Sequence, residues 1–425
     1  MELSTVIRSS LVALCLLIFM ILFIFKTPKA KLNWTIFYST LWVTFSLAIV
    51  NYILVEKNLW CFPSSTPLTI NMPLDFFFIW IIFWGIIPVY FFKGKYALIL
   101  CLTLFWLDLL LMPKLEELGL LQLNKYWLIG EVILILFVWF PSYVWAKIYY
   151  KKTHLKFRSL FQVIIMVLFL FITIPFIIKT YNKLAFNIKP VTIYLFQFVF
   201  IIALPSLIAV IDLTTKGKGT PFPYDKTSIL VKNGVYAYCK NPIQWSFTFL
   251  FIPLSYYYNS PLLLLGIVIS IAYTIGVSNY QEYNDMKIRF GIDWINYKRN
   301  VPSWRFLWKP KAIPKGTIYF KKNCNQCEQI KSWFTKNNTQ NLDIKFSNTY
   351  THTTLLQVTY IDYLGKEYKS VKAIAHALEH INLAYASLGW FMRLPLINTV
   401  LQYIIDTMSF NEKEEQCIFN ETNHD

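Results

Sequence analysis

Apolar runs of membrane length dominate this chain and leave it few architectures. A helix that crosses a bilayer needs about 20 predominantly apolar residues. Runs of that kind cover residues 9–25, 34–55, 73–92, 96–112, 126–148, 160–178 and 190–213. A longer apolar region, 243–277, is interrupted by Asn259-Ser260-Pro261 and reads as a helical hairpin. The expected fold is a polytopic α-helical membrane protein with about nine transmembrane helices. Composition agrees, because 56% hydrophobic and 15% charged residues leave too little polar material to clothe soluble domains of this length. Seven cysteines in 425 residues are too sparse, and odd in number, for a secreted disulfide scaffold.

The formal charge of +17 raises the question of nucleic acid, but in so apolar a chain basic residues mark cytoplasmic loops. Lys26, Lys29 and Lys31 follow the first span, which is therefore read as an uncleaved anchor with Arg8 offset by Glu2. A neutral loop (Glu56, Lys57) precedes Lys93 and Lys95. The next loop cancels, and the fifth carries Lys147, Lys151, Lys152, Lys156 and Arg158. Odd loops then face the cytoplasm, as do residues 214–242 and everything after about residue 280; Lys179, Lys183 and Lys189 in the sixth loop work against this order. Asp75, Asp108 and Glu131 fall inside apolar stretches. Such carboxylates either line a pathway or bond inward to Trp, Tyr or Asn.

Two polar pieces interrupt this pattern and carry groups suited to chemistry. Residues 217–242 are rich in Gly and Pro, so the backbone bends and cannot span. Gly217, Gly219 and Gly234 permit positive φ or close backbone approach. Lys240 precedes a helix start at Asn241-Pro242, where N–H groups favour an anion. Tyr236, Tyr238 and Trp245 offer aromatic faces to a cation. The second piece, 281–304, places Glu282 before an amphipathic stretch ending in Tyr297, Lys298 and Arg299. A salt bridge from Glu282 to Lys287 or Arg289 is the purely structural alternative.

This pair of blocks resembles the isoprenylcysteine carboxyl methyltransferase and phospholipid methyltransferase superfamily. The matching residues are Gly219-Thr220-Pro221-Phe222-Pro223, Leu230-Val231, Gly234-Val235-Tyr236 and Asn241-Pro242, then Glu282, Phe290-Gly291, Trp294, Tyr297 and Val301-Pro302. Lys240 stands where the family usually has Arg, Gln244 where Tyr is common, Ser246 where Gly is common, and Tyr283 in place of a second Glu. The resemblance implies S-adenosylmethionine as cofactor and methyl transfer to a lipophilic, membrane-dissolved acceptor. It implies cofactor binding by Leu230, Val231, Gly234, Tyr236, Lys240, Asn241, Pro242 and Glu282; Glu282 is the candidate base for an amine or thiol acceptor or a cofactor-orienting group, whereas a carboxylate or phenolate acceptor needs only a guiding cation such as Arg299.

After Pro310 and Pro314 the spans cease. Strand-like runs 317–320, 343–346 and 357–362, a Leu364-Gly365 turn, a strand near Glu367–Tyr368 and helical patterns over 371–388 and about 396–408 follow. A strand leading into Cys324-Asn325-Gln326-Cys327 and then a helix predicts a cytoplasmic α/β thioredoxin-like domain. The helix start lowers the first thiol's pKa, so the pair could cycle between dithiol and disulfide with a thiol or disulfide partner. Residues 316–409, with Gly389-Trp390 and Arg393-Leu394-Pro395, resemble the DCC family of thiol-disulfide oxidoreductase-like domains, although Lys321-Lys322 replace that family's Asp-Gly. Zinc on Cys324, Cys327, His376 and His380 is disfavoured by the 48 residues between Cys327 and His376, and no metal is expected. His352, His376, His380 and His424 read as surface residues, Cys15, Cys61 and Cys101 as core, and Cys239 as adjoining the site. The expected organisation is thus a helical region 1–158, a methyltransferase core 159–310, a thioredoxin-like domain 315–410 and an acidic tail 411–425. Two other functions compete: a membrane-anchored thiol oxidoreductase with a vestigial core, and a transporter or scaffold in which Asp75, Asp108 and Glu131 matter most.

Overall fold

The computed structural model describes residues 3–25, 30–63, 68–69, 71–90, 97–175, 193–222, 225–321, 325–337, 339–350, 355 and 357–407. The chain forms two compact bodies, Met1–Thr173 and Ile174–Asp425. Among the described residues, four helices are long and apolar enough to cross a membrane: Val6–Phe25, Leu32–Glu56, Trp127–Lys151 and Ile193–Thr215. Leu74–Tyr90 and Pro261–Gly276 are shorter apolar helices.

In the N-terminal body the helices are α1 (Leu3–Phe25), α2 (Ala30–Glu56), α3 (Leu74–Tyr90), α4 (Ala97–Glu117), α5 (Trp127–Lys151) and α6 (Leu155–Leu168). Val43, Leu47, Trp60, Trp80, Trp84 and Val138 form its centre. Wide π-helical turns at Ile81–Ile86, Ile135–Trp139 and Phe169–Thr173 each end two residues before a proline: Pro88, Pro141 and Pro175. A proline ring collides with the carbonyl four residues back, and a locally widened turn makes room for it.

The polar residues of this body point inward. Tyr38 stacks on Tyr149 at 3.9 Å, and Ser39 and Ser142 hydrogen-bond at 2.7 Å. Asp75 is paired with Arg8 at 2.5 Å instead of with Trp, Tyr or Asn. Asp108 accepts a hydrogen bond from the Trp80 indole at 3.2 Å, as inward bonding predicts. Glu131 is fully buried within electrostatic reach of Asp108, and among the described residues neither of its oxygens makes a well-formed hydrogen bond. Cys61, expected in the core, is exposed, because it sits in the short strand pair β1 (Trp60–Cys61) with residues Gln122–Leu123. Cys15 is buried, and the side chain of Cys101 lies outside the described residues.

The C-terminal body starts with the apolar helix α7 (Ile193–Thr215) and continues through the irregular stretch 216–241. Then come α8 (Pro242–Phe249), α9 (Phe251–Tyr257), α10 (Leu265–Tyr273) and α11 (Asn279–Asn300). Gly291 breaks α11 with φ 54° and ψ −127°, a conformation that a side chain would strain. A four-stranded sheet follows. In chain order its strands are β2 (Gly316–Phe320), β3 (Leu342–Phe346), β4 (Thr359–Ile361) and β5 (Glu367–Lys369), and their spatial order is β3-β2-β4-β5. β2 pairs parallel with β3 and antiparallel with β4, and β5 is antiparallel to β4. Helix α12 (Asn325–Lys336) crosses over between β2 and β3. The helix expected over 371–388 is two helices, α13 (Val371–Leu378) and α14 (Leu383–Arg393), because Asn382 caps the second by accepting from the Tyr385 N–H.

The expected segments 159–310 and 315–410 share one core within this body, apart from residues 159–173. Leu204 and Ile208 of α7 pack with Val235, Tyr238, Ala386 and Trp390. Beneath that apolar contact lies a buried ionic cluster. Arg393 donates to both Asp212 and Glu379, Lys216 pairs with Asp212 at 2.9 Å, and His376 Nδ1 bonds Glu379 at 3.1 Å. All five residues are buried. Two carboxylates thus face two cations, which is how charge is tolerated inside a protein.

His376 and His380, read from sequence as surface residues, are buried. His380 donates from Nδ1 to the Gln340 carbonyl at 2.7 Å, and its Nε2 shares a hydrogen bond with the Tyr360 hydroxyl at 2.9 Å, an arrangement that suits a neutral ring. Burial pushes its pKa from 6.5 down to about 4, against the upward pull of the Gln340 carbonyl; His376 is lowered too, by burial first and then by Arg393. Between those pH values the unfolded chain takes up a proton that the folded one refuses. Stability is therefore complete above pH 6.5 and falls as the pH drops toward 4. His380 alone is expected to cost about 2 kcal/mol by pH 5. An unfolding midpoint unchanged between pH 7 and pH 5 would show that these imidazoles are not held neutral.

Candidate functional site

The irregular stretch 216–241 owes its shape to hydrogen bonds from many directions. Ser228 N–H donates to the Gly217 carbonyl and Thr220 N–H to the Asp225 carbonyl, each at 2.8 Å. Lys240 N–H donates to Pro302 at 2.8 Å and Leu307 N–H to Tyr238 at 3.0 Å. The Tyr297 hydroxyl holds the Tyr236 carbonyl at 2.8 Å, and the Tyr363 hydroxyl holds Leu230 at 3.2 Å. A coil with so few regular hydrogen bonds of its own is thus fixed by α11, by the 302–307 segment and by the sheet.

Between this coil, the start of α8 and α11 lies a cleft of about 360 Å³. Leu230, Val231, Tyr236, Lys240, Asn241 and Pro242 line it, all six expected from sequence. Thr220-Pro221-Phe222 of the first block and Trp294 and Tyr297 of the second line it as well. Lys240 is 9% exposed, with Nζ 5.6 Å from the Trp294 ring centroid. Asn241 sits at the N-cap of α8, yet its side chain makes no capping bond. Among the described residues, Thr220 Oγ1, Asn241 Nδ2 and Trp294 Nε1 are buried without a hydrogen-bond partner. Three unpartnered polar groups lining one cleft are costly unless something supplies the missing bonds.

Other expected residues lie elsewhere. Gly234 is buried behind the cleft, with φ 64°, against the Asp212 carboxylate. Arg299 is exposed near the end of α11 and does not line the cleft, because it follows the cleft-lining Tyr297 by two residues and so falls on the other side of the helix. The Glu282 side chain lies outside the described residues, as do Pro223 and Cys324. Cys327 is disulfide-bonded. Cys239 is buried with Sγ 3.3 Å from the Ser303 carbonyl, and burial pushes its thiol up to about 12, which makes it inert.

Sequence reading missed the charged rim. Asp285 pairs with Lys226 at 2.5 Å and with Arg289 at 2.7 Å, and Arg289 also donates to the Thr227 carbonyl. This clasp ties the coil to α11 at the cleft, and it shows Arg289 engaged by Asp285. Burial raises the Asp285 pKa, but hydrogen bonds from Lys226 and Arg289 outweigh it and hold the carboxyl below its usual value. The available signal was the i, i+4 spacing of Asp285 and Arg289, which is indistinguishable from a solvated helix pair.

The cleft therefore offers aromatic rings, a buried cation, unpartnered hydrogen-bonding groups and an ionic rim. That set suits a ligand carrying both a carboxylate and a cationic or polarisable centre. No protein-family model, curated protein or solved structure matches the chain.

Proposed function

We propose that the protein is an integral-membrane methyltransferase that uses S-adenosylmethionine to methylate a lipophilic acceptor. The observation that carries this reading is convergence. Two sequence blocks separated by an apolar hairpin meet in one cleft, with six of the expected cofactor residues along it. Its volume falls within the roughly 300–1,000 Å³ of small-molecule sites. Lys240 suits the cofactor's carboxylate, Tyr236 and Trp294 suit its sulfonium, and Thr220, Asn241 and Trp294 have hydrogen bonds to give. When bound, the cofactor supplies an electrophilic methyl group. The chain's part is to orient the reactants and keep water out, with Leu230, Val231 and Pro242 as apolar wall. Glu282, one turn before Asp285 on α11, is the candidate base for an amine or thiol acceptor; a carboxylate acceptor needs none.

The reading takes the chain as polytopic with about nine spans, and the cleft as open to the cytoplasm, where the cofactor is dissolved. The sheet is taken as a thioredoxin-like fold of the DCC type. Its strand order and the crossover helix α12 after β2 support that, and the disulfide at Cys327 favours a second reading of the sheet as a thiol-disulfide module. Purified protein in detergent should bind S-adenosylmethionine saturably, and Lys240→Ala should weaken binding about 10–100-fold by removing a charge-assisted contact. Absence of saturable binding by the unsubstituted protein overturns the proposal.

A further inference from the structure

The C-terminal body presents an apolar surface that its described residues leave open. Residues 395–407 are helical and follow α14 directly. Leu396, Val400, Tyr403 and Ile404 recur at the spacing of one helix stripe and are 82%, 57%, 73% and 46% exposed. On α14, before the break at Leu394, Leu388 and Phe391 are also exposed, by 49% and 37%. Elsewhere in the sheet region, large exposed apolar side chains among the described residues are confined to Ile330, Trp333 and Leu364. From Leu388 to Ile405 the one charged residue is Arg393, and it is buried in its ion pairs. An uncharged patch this large on a water-facing domain invites aggregation.

The position of the patch identifies what covers it. The Phe391 ring meets the Phe200 ring of α7 edge-on at 6.0 Å. Phe200 lies 12 residues before Asp212, and at 1.5 Å per residue that is roughly 18 Å along α7 from the ionic cluster. The stripe therefore leaves α14 beside the apolar length of a helix able to cross a membrane, away from its polar end. On that length Tyr194, Phe196 and Ile201 are themselves 78%, 63% and 65% exposed. The contact between Phe391 and Phe200 thus joins exposed apolar side chains of α14 to those of α7.

We propose that residues 388–405 are immersed in lipid. The C-terminal helix lies in the apolar part of the bilayer alongside α7, anchoring the sheet region to the membrane by a contact separate from the spans. The contact is independent of the methyl-transfer reading, since it uses no residue of the cleft. To test it, the full chain carrying p-benzoylphenylalanine in place of Tyr403, or of Val400, is reconstituted in phosphatidylcholine nanodiscs and irradiated. Folding is checked by protection of Cys239 from maleimide. The expected result is a mass shift of one phospholipid on the peptide containing residues 395–407, absent when the same group replaces the exposed Glu367. A cross-link to residues 408–425, a covalent dimer, or a folded variant without lipid adduct at both positions overturns the proposal.

Discussion

Arg393→Ala is expected to unfold the C-terminal body under conditions in which the unsubstituted protein is stable. Arg393 is the shared partner of Asp212 and Glu379, and Asp212 Oδ2 lies 3.3 Å from its Nη1. Removing it leaves two buried carboxylates against Lys216 alone, whose own pKa burial already pushes down. Breaking a buried pair from one side costs about 3–5 kcal/mol, because an uncompensated charge remains. Whole domains are stable by only about 5–15 kcal/mol. Denaturant-dependent labelling of Cys239 reads the loss directly, since that thiol is buried at the centre of the same body. Arg393→Lys should recover part of it, since the charge is kept and the fork that reaches both carboxylates is lost. A denaturation midpoint for the alanine variant equal to that of the unsubstituted chain would mean that the ion pairs contribute nothing net.

The consequence reaches the cleft. Arg393 and Asp212 stand behind Gly234, two residues from the cleft-lining Tyr236, and the Tyr238 hydroxyl donates to the Glu379 carbonyl at 2.9 Å. Tyr363 of the sheet region holds Leu230 from the same side. The sheet and its two helices therefore brace the coil that shapes the cleft. Fusion of an independent module would leave no such contacts.

What could be read in the sequence follows from the range over which each interaction acts. Apolar runs of membrane length are local, so helix forms within each of them, although among the described residues four helices are long and apolar enough to cross a membrane against the nine or so expected. The coil residues of the cleft were legible for the same reason: Lys240, Asn241 and Pro242 are adjacent, and a Gly- and Pro-rich stretch between two apolar regions advertises a bend. Asp212 and Arg393 are 181 residues apart, and a charge at the end of an apolar run looks like an ordinary membrane boundary. His376 and His380 looked exposed because histidine in a helix of mixed composition is most often solvated. The overlooked hint is the run Val371, Ala373, Ala375 and Ala377, small or apolar residues that are all buried around them. The clasp of Lys226, Asp285 and Arg289 joins a coil to a helix about sixty residues away, and only the fold makes that juxtaposition.

Gly234→Ala is expected to be at least as damaging as loss of Arg393, although it deletes no interacting group. Gly234 adopts φ 64°, where a side chain adds roughly 1–2 kcal/mol. A methyl group there would also lie 2.2 Å from Asp212 Oδ2 and 3.2 Å from Arg393 Nη1. Contact at that distance cannot persist, so the Asp212 carboxylate must leave its place between Arg393 and Lys216. Backbone strain and a disrupted ion pair together are worth about 4–7 kcal/mol. The sequence offered Gly234 for positive φ or close backbone approach to a ligand; the φ is positive, and the group it admits is the protein's own carboxylate. This makes the effect separable from a general packing defect by a double-mutant cycle. If the methyl acts by displacing Asp212, then Arg393→Ala in the Gly234→Ala background should cost much less than in the unsubstituted chain, because the pair it breaks is already broken. If the two losses simply add, the glycine serves the coil's backbone alone, and the ionic cluster is indifferent to it.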